Sequence, residues 1–257
     1  MNDGPDFIGV GVQKSGTTWV ARRLAEHPQI LLGKKEISFF THEFHRGYGW
    51  YHALFAGKGT RLAGEISPNY FISPRRDEPR LEHYPRWSLQ SWWKHLVRPF
   101  PSARDEIRKT YPGIKVFAVF RNPVDRAWSQ YWMWAERRER VGKKRLVVPF
   151  ERMFRDDGRW IQDYGRYGTW LKHWREAFPD FGVFLYDDLV ADPAAFIRSI
   201  YRFLGVEETF APTLGQREFA GRYPAMDPAT RAMLADFYRG EVGEFFRLIG
   251  RELPWLD

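Results

Sequence analysis

Residues 7–24 read FIGVGVQKSGTTWVARRL, and this stretch decides the fold class. The apolar run at residues 7–12 predicts a buried parallel strand. Residues 18–26 have helical spacing, with Trp19, Val20 and Leu24 on one face. The loop between them carries a lysine, a glycine and hydroxyl side chains. A strand, a small-residue loop and a helix N-terminus indicate an anion site, because backbone N–H groups point at the ligand there.

The loop is close to the Walker A pattern of nucleotide-binding proteins, G-x-x-x-x-G-K-[ST], but departs from it. Gly11 and Gly16 have the required spacing, whereas Thr17 stands where the lysine belongs. The cation, Lys14, precedes the second glycine instead. Taken alone, the same residues also suit an ordinary turn with a solvated lysine.

The second informative stretch is RNPVDRAWSQY at residues 121–131. It follows KVFAVF at residues 115–120, the clearest strand pattern in the chain, so Arg121 is predicted at the sheet edge where ligands bind. Ser129 comes about two helical turns later, and a guanidinium with a hydroxyl suits a phosphate. An ion pair of Arg121 with Asp125 at a helix start is the structural alternative.

Strand and helix patterns alternate along the 257 residues, which predicts an α/β protein. We expect a P-loop-like fold of three layers, with a central parallel sheet flanked by helices, as one domain over residues 1–257. Residues 71–101 are rich in Arg, Pro and Trp and are predicted to form an insertion at the acceptor site. Residues 141–157 are predicted as a loop. The other predicted strands are 30–32, 61–66 and 182–186, and the other predicted helices are 49–55, 102–111, 124–138, 167–178, 193–204 and 228–249.

Composition sets further limits. The net charge of +8 favours an anionic ligand, and no motif for binding nucleic acid is present. The chain contains no cysteine, which excludes disulfides and thiolate metal sites. No apolar run approaches the length of a membrane span, and residues 1–6 do not begin a secretory signal. The sequence therefore predicts a cytoplasmic protein without a membrane span.

Residues 14–18, together with Arg121 and Ser129, resemble the 5'-phosphosulfate and 3'-phosphate signatures of sulfotransferases that use 3'-phosphoadenosine 5'-phosphosulfate (PAPS). The motifs are most similar to those of the heparan sulfate glucosaminyl 3-O-sulfotransferases, here in a bacterial form without a membrane anchor. Matching segments run almost from end to end and include residues 36–40, 64–71 and 167–174. The resemblance implies in-line transfer of a sulfuryl group from PAPS to an acceptor hydroxyl, with adenosine 3',5'-bisphosphate (PAP) as product and no metal ion.

The resemblance also implies roles for single residues. Lys14 would stabilise the departing phosphate, and Glu36 would remove the proton of the acceptor, so both are predicted to be catalytic. A histidine is the base in cytosolic relatives, which makes His42, His45 and His52 rivals of Glu36. The residues predicted to bind the donor are Lys14, Ser15, Gly16, Thr17, Thr18, Trp19, Arg121, Ser129, Gly221 and Arg222. The residues predicted at the acceptor site are Glu65, Tyr70, Trp92, Trp93 and His42.

A departure from the family leaves the acceptor open, because Ile66 replaces a lysine that meets an anionic sugar. Another departure concerns the donor: Ala220 replaces a lysine before Gly221 in the loop that closes over the 3'-phosphate, where a weaker grip and substitution by Arg217 are the alternatives. A hydroxyl on a glycan, a lipid or a secondary metabolite all fit, and O- or N-sulfation and the oligomeric state are not decided by the sequence. A P-loop kinase of small molecules and a non-catalytic anion- or glycan-binding module are the two other classes of function.

Overall fold

The computed structural model describes residues 3–73, 102–140, 148–156, 158–214 and 223–257. Almost all of the insertion predicted at residues 71–101 lies outside these ranges. The strands are β1 (Phe7–Gly11), β2 (Ile30–Leu32), β3 (Leu62–Ile66), β4 (Lys115–Phe120) and β5 (Gly182–Leu185). The helices are α1 (Thr17–Glu26), α2 (Gly47–Ala53), α3 (Ala103–Thr110), α4 (Pro123–Arg140), α5 (Phe150–Asp156), α6 (Arg159–Asp163), α7 (Tyr167–Ala177), α8 (Tyr186–Ala191), α9 (Pro193–Leu204) and α10 (Pro228–Ile249).

The strands form one parallel sheet in the order β2-β3-β1-β4-β5. Strand β1 is central, and its Phe7 lies opposite Gly64 of β3 and Lys115 of β4. Because all strands are parallel, their carboxyl ends lie at one edge of the sheet, where α/β folds bind ligands. The predicted α/β fold, with a central parallel sheet flanked by helices, is confirmed.

Side chains alternate across β1, and both faces of the strand are buried. Phe7 packs in a cluster with Val20 and Leu24 of α1 and with Ile200 of α9. Ile8 and Val10 are fully buried as well, as expected for a strand covered on both sides. Gly64 is required opposite Phe7, because a Cβ at this position would lie 2.5 Å from the phenyl ring.

Side-chain caps stand at the start of α3, α9 and α10. The side chains of Asp192 and Asp227 accept hydrogen bonds from the amides of Ala195 and Thr230, respectively. Each of these two aspartates is followed by a proline at the first position of its helix. Ser102 caps α3 in the same way through the amide of Asp105. These caps satisfy amides that have no partner inside the helix.

Three helices were not predicted from the sequence: α5, α6 and α8. Residues 150–156 were predicted as loop and instead form α5, because Phe150, Met153 and Phe154 have helical spacing and bury one face. Strand β5 ends at Leu185, and the predicted strand residue Tyr186 begins α8. The loop prediction for 141–147 lies outside the described residues.

The described residues divide into two compact units. The first holds those within 1–77, 100–121 and 174–218, and therefore the whole sheet. The second holds those within 122–173 and 219–257. The single domain over 1–257 stays a prediction. Within the described ranges, none of the helices combines the length and the apolar character that crossing a membrane requires.

Candidate functional site

The loop that joins β1 to α1, residues 12–16, has a backbone suited to an anion. Lys14 and Gly16 have positive φ angles of 71° and 84°, so left-handed residues alternate with Ser15 between them. Such an alternation turns successive N–H groups toward one concave point. Gly16 gives α1 no side-chain cap, which leaves the N–H groups of its first turn for a ligand.

Ser15 indicates that a ligand belongs in this loop. Its side chain is fully buried, and its Oγ has no hydrogen-bond partner in the described part of the chain. A buried hydroxyl without a partner costs about 1–3 kcal/mol, so such a hydroxyl usually serves a bound water or ligand.

Helix α8 supports the loop from the carboxyl end of β5. A Cβ at Gly16 would lie 3.0 Å from Leu189 Cδ2 and 3.2 Å from Tyr186 Cδ2. The guanidinium of Arg121 stacks on the Tyr186 ring, with 4.9 Å between its carbon and the ring centroid. Arg121 Nη1 also donates to the backbone oxygen of Lys14 at 3.3 Å. The structure thus joins two predicted donor-binding residues, Lys14 and Arg121.

The other predicted donor contacts have different positions. Thr17 and Trp19 are buried, and Trp19 packs on Phe196 in the core, so its side chain serves the fold. Ser129 is buried on α4 in the second unit, and its contact with a 3'-phosphate stays a prediction. Gly221 and Arg222 lie outside the described residues.

Glu36, the predicted base, lies four residues after the carboxyl end of β2. Its side chain is 56% exposed, and its Oε1 is 2.6 Å from Lys35 Nζ. Its backbone has a positive φ of 60°, and its amide donates to the Ile66 oxygen at 3.0 Å. The carboxylate is therefore accessible on a turn that is tied to the end of β3.

Glu65, near the end of β3, is fully buried, unlike Glu36. Tyr51 and Tyr70 donate their hydroxyls to its Oε1 at 2.6 and 3.1 Å, and Ser67 donates to Oε2 at 2.6 Å. Burial raises the pKa of Glu65 from 4.5 to about 7, although these hydroxyl bonds lower it. Glu65 and Tyr70 were both predicted to contact the acceptor. Both side chains are fully buried, which does not favour such a contact, and the contact stays a prediction.

The histidines differ in how they are held. His42 is an exposed residue that comes six positions after Glu36. Its Nδ1 lies 3.1 Å from Asn69 Nδ2 and 3.2 Å from Thr41 Oγ1. The Nε2 of His52 is hydrogen-bonded to the Tyr111 hydroxyl at 2.7 Å. Trp92 and Trp93 lie outside the described residues. Within those residues no group of three or more His, Asp and Glu side chains is arranged to hold a metal ion.

Sequence reasoning missed the residues that support this site. Tyr186 and Leu189 contact the loop from α8, and Ser67 and Tyr51 bind Glu65. One signal was available for Tyr186, because it is the last residue of the predicted strand 182–186 and so lies at the carboxyl end of the sheet, where ligands bind. No local pattern marks Tyr51, which is separated from Glu65 by a turn and a strand.

The profile that describes the sulfotransferase family matches residues 5–211. The chain therefore belongs to the sulfotransferase family, and the family resemblance predicted from its motifs is confirmed. The crystal structure of a sulfotransferase from Alicyclobacillus acidocaldarius is similar, with a TM-score of 0.75 and 26% identity over 98% of this chain and 99% of that one.

Two curated relatives are named for heparan sulfate. Heparan sulfate glucosamine 3-O-sulfotransferase 3B1 of Mus musculus is 26% identical over 287 residues, which cover 98% of this chain and 65% of the relative. Bifunctional heparan sulfate N-deacetylase/N-sulfotransferase 3 of Homo sapiens is 26% identical over 301 residues, which cover 98% of this chain and 31% of the relative. The chain thus spans just under two thirds of the first and under a third of the second.

Proposed function

We propose that this protein transfers a sulfuryl group from PAPS to a hydroxyl of a glycan. The observation that carries the proposal is the loop at residues 12–16, where an unpartnered buried Ser15 hydroxyl, left-handed Lys14 and Gly16, and Arg121 come together in a chain of the sulfotransferase family. The names of the relatives favour a glycan over a lipid or a secondary metabolite as acceptor.

The loop residues would hold the donor at its 5' end. Amides of residues 16–18 and the Ser15 hydroxyl would donate to the 5'-phosphate, and Arg121 would bind the 3'-phosphate with its planar set of donors. Lys14 would place its ammonium near the oxygen that joins sulfur to phosphorus and would stabilise the negative charge left there. These are roles for fixed donors, which act without reorganising during the reaction.

Glu36 would act on the acceptor. As the acceptor oxygen forms its bond to sulfur, the bond from sulfur to the 5'-phosphate oxygen breaks, and the proton of the hydroxyl passes to the Glu36 carboxylate. PAP leaves with the electron pair of the broken bond. The exposure of Glu36 supports this role, because a base must reach a substrate that arrives from solvent. A cytoplasmic location and a bacterial origin also remain proposals from the sequence.

The experiment is transfer of ³⁵S from labelled PAPS to heparan sulfate, to chemically desulfated heparan sulfate, to a glycolipid and to a phenol, each followed by mass spectrometry. We expect label on a glycan and no phosphate transfer from ATP with magnesium. Label on the lipid or phenol alone would contradict the glycan assignment, and transfer from ATP instead of PAPS would contradict the whole proposal.

Substitution of Glu36 and Lys14 tests their roles in that assay. Glu36→Gln keeps the size of the side chain but cannot take a proton, so we expect turnover to fall at least about 100-fold with unchanged PAP affinity. Lys14→Ala removes a fixed cation and should cost about 100- to 1000-fold. The matched control is Glu43→Gln, an exposed acid paired with Arg46 nearby in the chain, which should leave turnover unchanged. An active Glu36→Gln beside an inactive His42→Ala would assign the base to histidine.

A further inference from the structure

Glu65 is a buried carboxylate held by hydroxyl groups alone. In the described part of the chain its hydrogen-bond partners are Tyr51, Tyr70 and Ser67, and no cation pairs with it. Burying an acid without a cation carries a large desolvation cost, and a neutral or apolar residue would avoid it. The arrangement around Glu65 therefore needs an explanation other than stability.

The explanation lies in the direction of these hydrogen bonds. Tyr51 and Tyr70 donate to Oε1 of Glu65 and Ser67 donates to Oε2, which is the pattern that an ionised carboxylate requires because it only accepts. Burial raises the pKa values of Tyr51 and Tyr70 well above their ordinary value, so both remain donors. With their protons fixed, the hydroxyl oxygens present their lone pairs to other groups.

Two of these oxygens accept from the segment that carries Glu36. Ser67 Oγ accepts from the Ser38 amide at 3.0 Å, and the Tyr70 hydroxyl accepts from the Phe40 amide at 3.4 Å. Ser67 itself is fixed to the central strand, because its own amide donates to the Gly9 oxygen at 2.9 Å. Glu65 thus connects through one hydroxyl each to the amides of Ser38 and Phe40.

The segment from Glu36 to Phe40 needs hydrogen bonds of this kind to hold its backbone. Glu36 and Ser38 both have left-handed backbones, with φ of 60° and 56°, and each costs about 1 kcal/mol or more for a residue with a side chain. The Glu36 amide is held by the Ile66 oxygen on one side, and the Ser38 amide is held by Ser67 on the other. Strained turns of this kind persist only where their surroundings determine them.

We propose that Glu65 is a positioning residue: its carboxylate orients the hydroxyls of Ser67 and Tyr70 toward the amides of Ser38 and Phe40, and so fixes the turn that presents Glu36. This inference rests on the role of Glu36 proposed above. Glu65 contacts neither donor nor acceptor, and its effect on the reaction passes through Glu36.

The first test measures the turn directly, by amide exchange in ¹⁵N-labelled protein above about pH 8, where Glu65 is ionised. Glu65→Gln keeps the shape, but its NH₂ group faces at least one hydroxyl that must then turn its proton away. We expect the Ser38 and Phe40 amides to exchange about tenfold faster or more. Ser67→Ala removes the acceptor of the Ser38 amide and one of the three donors to Glu65. It should accelerate the exchange of Ser38 while sparing Phe40, whose acceptor Tyr70 still donates to Glu65. If Glu65→Gln does not fold, Glu65→Asp, which keeps the charge but withdraws the carboxylate from the hydroxyls, replaces it in the same measurement.

A matched control is Glu106→Gln on α3. Glu106 is also buried and accepts from a tyrosine hydroxyl, that of Tyr48 at 3.2 Å. The Tyr48 hydroxyl contacts Thr110 on the same helix and no amide of residues 36–40. The control should leave the exchange of Ser38 and Phe40 unchanged, and equal acceleration in control and test would show general loosening instead of positioning.

The second test is a double-mutant cycle on PAP formation, with heparan sulfate as the acceptor probe. Glu65→Gln should lower kcat about tenfold while the Kd of PAP changes less than about twofold. In a Glu36→Gln background the same change should have almost no further effect, because both act through one group. Multiplicative effects would mean that Glu65 acts independently of Glu36, and would overturn the inference.

The two proposals fail in different ways. If Glu36→Gln is fully active, the proposed role of Glu36 is wrong, and the positioning role falls with it. If Glu36→Gln is inactive while Glu65→Gln and Ser67→Ala leave kcat and the Ser38 amide as in the wild type, only the inference about Glu65 is wrong.

Discussion

A single side chain, Arg121, connects three parts of the site. It follows β4, donates to the Lys14 oxygen of the loop after β1, and stacks on Tyr186, which follows β5. A guanidinium that is already held by two contacts loses less side-chain entropy when it binds a phosphate. Arg121 is therefore organised before the donor arrives.

Substitution of Arg121 should separate the two phosphates of the donor. We expect Arg121→Ala to weaken PAP binding by about 2–4 kcal/mol, because a charged bidentate partner is lost. A nucleotide without the 3'-phosphate should lose much less, and titration calorimetry with both ligands measures the difference. Arg121→Lys keeps the charge but not the planar pair of donors. Its PAP affinity should therefore lie between that of the wild type and that of Arg121→Ala. Equal losses for both nucleotides would show that Arg121 does not read the 3'-phosphate.

The placement of Lys14 and Arg121 at one edge could be predicted from the sequence, because each follows a clear strand pattern and parallel strands end on the same side. Their direct contact could not be predicted. It depends on β4 lying beside β1 although more than 100 residues separate them in the chain, and no local pattern encodes that neighbour. The stacking of Arg121 on Tyr186 depends on the sheet order in the same way.

At the scale of elements, the loop after β1 is shaped by the helix packed against it. Gly16 combines a left-handed backbone with a close approach to α8, since a Cβ would meet Leu189 at 3.0 Å. Gly57 has a similar φ of 79°, but a Cβ there would meet no atom of the described residues within 4 Å. The two glycines therefore differ in packing and share the backbone conformation.

Gly16→Ala and Gly57→Ala form a matched pair for urea unfolding. Gly57→Ala should cost about 1 kcal/mol, the strain of placing a Cβ in the left-handed region. Gly16→Ala should cost about 1–3 kcal/mol more, because Leu189 and Tyr186 must move, and it should also weaken PAP binding. Equal losses of stability, with PAP binding unchanged in both variants, would show that α8 does not shape the loop.

Helices α5 and α8 show where sequence patterns fail at this scale. Their seven and six residues give helical periodicity little length in which to stand out from a loop, and the equally short α2 was predicted two residues too late, at 49–55 instead of Gly47–Ala53. The long helices α9 and α10 were predicted to within a residue or so, because an Asp-Pro pair marks the start of each and Gly205 marks the end of α9.

At the scale of the whole molecule, Glu65 makes stability depend on pH. Its pKa is raised by burial to about 7, and the groups that face it are the hydroxyls of Tyr51, Tyr70 and Ser67, with Tyr111 close enough to interact. Between pH 4.5 and 7 the folded protein keeps a proton that the unfolded chain has lost. Stability from this group is therefore complete below pH 4.5 and is lost as the pH rises to about 7.

Comparison with Glu65→Gln isolates this contribution. The free energy of unfolding of the wild type, relative to the variant, should fall by about 3 kcal/mol between about pH 4 and 8, since each unit of pKa shift is worth about 1.4 kcal/mol. Urea unfolding at several pH values measures both curves. Parallel curves across this range would mean that the pKa of Glu65 is not raised.

The acceptor site is the part of the molecule that the sequence predicted least. Trp92 and Trp93 of the predicted acceptor site lie outside the described residues, as do Gly221 and Arg222 of the predicted donor site, and their roles stay predictions. Turns such as the one at Glu36 and Ser38 follow no spacing rule, because their strained backbones are set by partners at the end of β3 that come about 30 residues later.

The central position of β1 also affects how the chain folds during its synthesis. Strand β1 leaves the ribosome before both of its neighbours, since β3 begins at Leu62 and β4 at Lys115. At about 5–20 residues per second, its two edges stay unpaired for several seconds or more. An apolar strand with free edges is a template for wrong pairing, and the nascent chain is therefore expected to need shielding by a chaperone until β4 emerges.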